Sequence, residues 1–348
     1  LRPVAVCSAL APMRRRSIAA LAAALIVAPL LAGAPHQRAE AAESWTGVPA
    51  HSTGAAHGLG VDLDTVTIPE LQARMKRGVL TSSALTRAYL QRIRAVDPTI
   101  GAVLRTSPSA LRQAADSDAR HRRGTVRGPL DGIPVLLKDN VPATDAPLVS
   151  RLREAGAVVL GKTNMSEWAN FRAAAPTSGW SAVGGQTRNP YVLDRNPCGS
   201  SSGSAAALAA SLAQVAIGTE TDGSIVCPAG MNGVVGHKPS LGLVSQSGVV
   251  PISAEQDTAG PMARNVTDVA LTLSVLASGT GNGLGAGGGA GAGTLARPGG
   301  LRGARIGLWR LPSLGAGVDA LMTRTAKRLR DAGAQVVEVD PPYQDRLG

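Results

Sequence analysis

The 348-residue sequence predicts an α/β fold, and three observations carry that prediction. From Thr67 onward, stretches with helical apolar spacing alternate with short runs of Val, Leu and Ile that read as buried strands. Clusters of Gly, Pro, Ser and Asn punctuate these stretches. The hydrophobic share is 44% although only 2% of residues are aromatic, so the core has to be built from Ala, Val, Leu and Ile. A chain of this length holds one large domain or two ordinary ones.

Residues 1–41 read as a secretory signal. Met13-Arg14-Arg15-Arg16-Ser17-Ile18 is a positive n-region, Ala19 to Leu31 an apolar stretch too short to span a bilayer, and Ala39-Glu40-Ala41 a small-x-small cleavage site. Ala32-Gly33-Ala34 is an alternative cleavage point, and the paired arginines suit a twin-arginine signal. Met13 is then the initiator, and the processed protein is secreted with no stable membrane span. Residues 42–60 are aperiodic and form a flexible lead-in. One domain is expected from 61 to 348.

Ile68, Leu71 and Met75 mark a first helix, ended by Gly78. Thr81-Ser82-Ser83 caps a second, which carries Leu85, Tyr89, Leu90 and Ile93 and is closed by Pro98. A third, from Ser107 to Arg123, gathers arginines at its C-terminal end, where cations suit the helix dipole. All three are expected on the outside. Gly132 to Asn140 holds a short buried strand, Val135-Leu136-Leu137, that ends on Lys138. A lysine there either snorkels to water or is kept for chemistry.

A helix from Pro147 to Ala155 and a strand from Ala157 to Leu160 follow. Gly156 to Thr163 matches the letters of the phosphate-binding pattern G-x-x-x-x-G-K-T. That cradle needs a flexible loop whose N–H groups turn inward. The intervening residues here are apolar and mostly β-branched, so they read as the strand itself and nucleotide binding is set aside.

Residues 166–190 form a polar loop region with Trp168, Phe171 and Trp180, which either walls a cleft or packs over the core. A helix from Asn265 to Leu276 precedes 278–300, which is almost all Gly and Ala and reads as a disordered insert. Arg305 to Trp309, Gly317 to Ala332 and Gln335 to Val339 then make a βαβ-like unit.

Charge and cysteine content narrow the function classes. The net charge is +11, of which residues 1–41 carry +4 through five arginines and one glutamate. The remaining +7 is spread without a basic block, and few aromatics exist to stack bases, so no nucleic-acid partner is expected. The five histidines are scattered and nothing has metal-ligand spacing. Beyond the signal only Cys198 and Cys227 remain. A secreted protein offers them a chance to pair, but disulfide geometry is demanding, and two buried thiols are the favoured expectation.

The chain is organised around residues 196–236. Two turns, Gly199-Ser200-Ser201-Ser202-Gly203 and Asp222-Gly223-Ser224-Ile225, are joined by an Ala-rich helix pattern and a short apolar run. Glycine lets backbone approach a ligand, and each serine offers an oxygen that donates, accepts or attacks. The first turn also fits the G-x-S-x-G nucleophile elbow. That elbow follows a strand and needs a histidine well downstream, whereas Asn196-Pro197 precedes this one and only His237 follows.

With Lys138 in Gly132-Ile133-Pro134-Val135-Leu136-Leu137-Lys138-Asp139-Asn140, these motifs resemble the amidase signature family, and within it the bacterial peptide amidases. The resemblance runs from about Asp62 to the end. It implies a central mixed β-sheet covered by helices on both faces, with the C-terminal part of the family's domain missing. It implies amide hydrolysis by Ser224 as nucleophile, Ser200 as bridging serine and Lys138 as base, with Thr221, Asp222, Gly223 and Ser224 forming the oxyanion hole. No cofactor and no metal are implied. The partner is a small-molecule or peptide amide, with C-terminal peptide amides as the expected substrates.

The sequence departs from the family at Cys198 and Ser202, which replace glycines, at Glu220 in place of Asp and at Val226 in place of Arg. The stretch between Asn140 and Pro147 is also much shorter than the family's. That shortening favours an alternative, an inactive fragment with at most a binding role. A further alternative is the glutamine-hydrolysing component of a tRNA-dependent amidotransferase, against which the secretory signal weighs.

Overall fold

The computed structural model describes residues 59–144, 146–277, 299–309 and 315–339. The expected signal, nearly all of the lead-in and almost the whole 278–300 stretch lie outside the described residues.

The helices are α1 (Ile68–Lys76), α2 (Ser82–Ile100), α3 (Ala110–Arg123), α4 (Pro147–Glu154), α5 (Ser202–Ala209), α6 (Val226–Met231), α7 (Val266–Leu276) and α8 (Ala316–Asp331). The strands are β1 (Val103–Thr106), β2 (Pro134–Lys138), β3 (Val158–Thr163), β4 (Trp180–Ser181), β5 (Gly185–Gln186), β6 (Val215–Glu220), β7 (Val235–Gly236), β8 (Thr258–Ala263), β9 (Arg305–Leu308) and β10 (Gln335–Glu338).

Six strands form a mixed sheet in the order β1-β3-β2-β6-β8-β7. Its centre, β3-β2-β6, is parallel, and the flanks β1, β8 and β7 join antiparallel. β2, β3, β6 and β8 are buried along their whole length. Strands buried on both faces carry apolar runs without alternation, which is how Val135 to Leu137 and Val158 to Leu160 read. Ser202 to Leu208 of α5 are likewise all buried, and their small side chains let the helix lie on β2, β3, β6 and β8. β9, α8 and β10 make the expected unit, with β9 and β10 paired in parallel. Among the described residues, no helix is long and apolar enough to cross a membrane.

Three boundaries differ from expectation. Pro98 does not close α2, which continues to Ile100. Proline removes one N–H and so forfeits a single hydrogen bond in the last turn, while Gly101, at φ 67°, adopts the left-handed cap that ends the helix. β1, whose Val103 to Thr106 pair with β3, is not apparent from periodicity, and α3 starts at Ala110 rather than Ser107 because Ser107 N donates to Leu160 O at 2.8 Å and Ala110 N closes a turn on Ser107 O at 3.2 Å. β3 runs on to Thr163, past the expected end at Leu160, and with Gly161-Lys162-Thr163 inside the strand the phosphate-cradle pattern forms no loop, as expected.

Candidate active site

β2 and β6 run side by side in parallel, with Leu137 opposite Ile217, so their C-terminal ends carry Lys138 and Thr219 to one edge of the sheet. Lys138 is fully buried. Its Nζ lies 2.7 Å from Ser200 Oγ and donates to Thr219 O at 3.0 Å and Thr219 Oγ1 at 2.8 Å. Loss of water lowers its pKa from the ordinary 10.5 to about 7, with the carboxylates of Glu220 and Asp257 opposing. A neutral amine keeps two N–H bonds for Thr219 and turns its lone pair to the Ser200 hydroxyl.

Ser200 is buried, its preceding peptide bond is cis, and its carbonyl accepts from Ser166 N at 3.1 Å. Ser201 N donates to Ser224 O at 3.1 Å and so ties the two serine turns together. Ser200 and Ser224 line one cleft with Asn140, Ala169, Thr221 and Asp257. Among the described residues no hydrogen bond joins Ser200 Oγ to Ser224 Oγ. The contact between Lys138 and Ser200 is formed, and Ser224 shares the cleft without a hydrogen bond to Ser200 Oγ. Catalytic hydrogen bonds commonly tighten only once substrate is bound.

The turn before Ser224 is shaped by Glu220. Its carboxylate accepts from Gly223 N at 3.0 Å, Ile225 N at 2.7 Å and Val226 N at 2.9 Å. Gly223 sits at φ +77°, and a Cβ there would meet nothing within 4 Å, so backbone conformation alone calls for glycine. Of the four expected oxyanion donors, Gly223 N–H is therefore already engaged. Those of Thr221, Asp222 and Ser224 form no hydrogen bond among the described residues.

The expectation of two free thiols is corrected. Cys198 and Cys227 form a disulfide with their Cα atoms 6.0 Å apart. Cys198 takes a left-handed backbone at φ 59°, and Cys227 lies in the first turn of α6, which starts two residues after Ser224. The bridge thus joins the loop before Ser200 to the helix after Ser224.

The amidase family model matches residues 84–347. The chain belongs to the amidase family. It is similar to a probable amidase of Arabidopsis thaliana, 41% identical over 79% of this chain and 58% of that protein. It is also similar to a glutamyl-tRNA(Gln) amidotransferase component of Acidothermus cellulolyticus, 40% identical over 81% of this chain and 60% of that one. Among solved structures it matches the native peptide amidase of Stenotrophomonas maltophilia with TM-score 0.73 and 52% identity, covering 81% of this chain and 63% of that one. The chain spans less than two thirds of the length of each of these relatives.

In this member of the amidase family two of the three loop aromatics do not pack over the core. Trp168 and Phe171 are each more than half exposed and flank Ala169, which lines the cleft. The loop turns sharply, with Trp168, Ala169 and Asn170 all at positive φ.

Several site residues escape a reading of the sequence. Thr219 holds the lysine, Asn140 donates to Thr219 Oγ1 at 3.1 Å, and Asp257 accepts from Thr221 Oγ1. Asn140 and Glu220 lie within or beside the lysine and serine motifs, so their neighbours are a usable signal. Asp257 comes from the loop before β8 and carries none.

Proposed function

We propose that the chain is an amidase that hydrolyses carboxamide C–N bonds through Ser224, Ser200 and Lys138. A fully buried lysine amine 2.7 Å from Ser200, in the cleft that also holds Ser224, is the observation that carries this reading. Neutral Lys138 accepts the Ser200 proton while Ser200 accepts that of Ser224. Ser224 Oγ then bonds to the amide carbon, and the oxyanion faces the N–H groups of Thr221, Asp222 and Ser224. The relay runs backwards to protonate the departing amine or ammonia. Water, deprotonated by the same relay, hydrolyses the acyl-enzyme and restores Ser224.

C-terminal peptide amides are the proposed substrates, supported by the 52% identity to a peptide amidase. The exposed Trp168 and Phe171 offer apolar surface beside the cleft for the preceding peptide side chains. Secretion is proposed with it, since a disulfide persists in oxidising compartments and is rare in the cytosol.

The test is intact-mass analysis after treatment with a fluorophosphonate, beside Ser224→Ala, followed by peptide amides and glutamine as competing substrates. A single adduct that vanishes in the variant supports the reading. A folded protein that takes up no reagent overturns it, and turnover of glutamine alone overturns the substrate assignment.

A further inference from the structure

A second lysine is buried beside the site. Lys162 of β3 is only 6% exposed, and it pairs in register with Leu137, the residue before Lys138. Its Nζ donates to Asp139 O at 2.7 Å and to Val141 O, and it lies 3.9 Å from Asp139 Oδ1. Burial lowers its pKa from 10.5 to about 8, with the Asp139 carboxylate opposing. An apolar side chain would fill this volume without the cost of desolvating an ammonium. What the ammonium adds is a point on which two carbonyl oxygens converge, and both belong to the segment that directly follows Lys138.

That segment leads back to the base. Val141 N closes a turn on Lys138 O at 3.0 Å. Between the two clamped carbonyls, Asn140 donates through Nδ2 to Thr219 Oγ1 at 3.1 Å and to Val250 O at 3.2 Å. Its own carbonyl accepts from Val250 N at 3.0 Å. Thr219 Oγ1 in turn accepts from Lys138 Nζ. We propose that Lys162 is a positioning residue for the reaction. By clamping Asp139 and Val141 it fixes the Asn140 amide on Thr219, and Thr219 aims the Lys138 amine at Ser200. This rests on the triad reading above. It also gives the short connection from β2 to α4 a specific anchor.

The experiment compares Lys162→Met, Lys162→Arg and Asn140→Leu with the wild-type chain, measuring kcat, KM on a peptide amide and the unfolding temperature. Misplacing a reacting group by about 1 Å costs on the order of 100-fold in rate. Lys162→Met is therefore expected to lose about 10- to 100-fold in kcat with KM nearly unchanged. Lys162→Arg, which keeps a donor on the two carbonyls, is expected to recover most of that loss. Asn140→Leu breaks the link beyond the clamp and should reproduce the kcat loss, which settles the outcome if Lys162→Met does not fold. Wild-type kcat in a folded Lys162→Met or in Asn140→Leu overturns the inference while leaving the amidase reading intact. So does a kcat loss that Lys162→Arg does not restore at equal stability. An inert wild-type chain overturns the amidase reading and this inference together.

Discussion

Thr219 meets Lys138 twice, through its carbonyl oxygen at 3.0 Å and its hydroxyl at 2.8 Å from Nζ. A neutral amine has two hydrogens and one lone pair, so two acceptors on one residue leave a single direction for the lone pair. That direction is Ser200 Oγ, 2.7 Å away. One threonine at the end of β6 thus sets the direction in which the Lys138 amine faces Ser200.

The pH dependence of activity follows from burial of Lys138. Its pKa stands at about 7 because the charged form has lost its water. Only the neutral form accepts a proton, so kcat/KM should rise about tenfold per pH unit below pH 7 and level off above it. Lys138→Ala should cost roughly 10²–10⁴-fold and abolish this limb. A rate–pH profile with its midpoint near 10, as for a solvated lysine, would sink the assignment.

Glu220→Gln should act on the same profile in two ways. The Glu220 carboxylate raises the Lys138 pKa by charge, so the neutral side chain should move the acid limb to lower pH. It also withdraws a charged acceptor from three backbone N–H groups around Ser224. Hydrogen bonds to a charge contribute about 1.5–3 kcal/mol, and the plateau rate should drop by roughly 10- to 100-fold. A limb displaced upward would contradict the electrostatic account.

Removing the Cys198–Cys227 bridge should lower stability. The two residues are 29 apart in sequence, and closing a loop of that length stabilises by about 3–4 kcal/mol in the chain-entropy account. Thermal unfolding of the Cys198→Ser/Cys227→Ser variant should fall by the same amount as that of the wild-type chain in reductant. An added effect of reductant on the double variant, or no effect on the wild type, would show that the bridge is not the source.

The side chains proposed for catalysis are readable because their surroundings are local. A lysine ending an apolar strand and glycine-flanked serines in tight turns are patterns a few residues long, set by backbone conformation and residue type. The α/β order is readable for the same reason, since helical and strand periodicities are written in neighbouring positions. Pro98 misleads because proline's cost depends on where in a helix it falls, and β1 is hidden because a four-residue edge strand exists only through its partner β3.

Whatever depends on distant segments meeting came from the packing. Thr219 reaches Lys138 only because β2 and β6 pair in parallel, and Asp257 reaches Thr221 from the loop before β8. The cysteines bridge because two loops bring their Cα atoms to 6.0 Å. Gly223 gives up its N–H because the Glu220 side chain folds back on its own turn. Residue order alone established which groups are available, namely a lysine, two serines and a turn of N–H donors. The packed structure was needed to remove water from Lys138, because desolvation comes from the whole shell of β2, β6 and α5 around the amine and from no stretch of neighbouring residues.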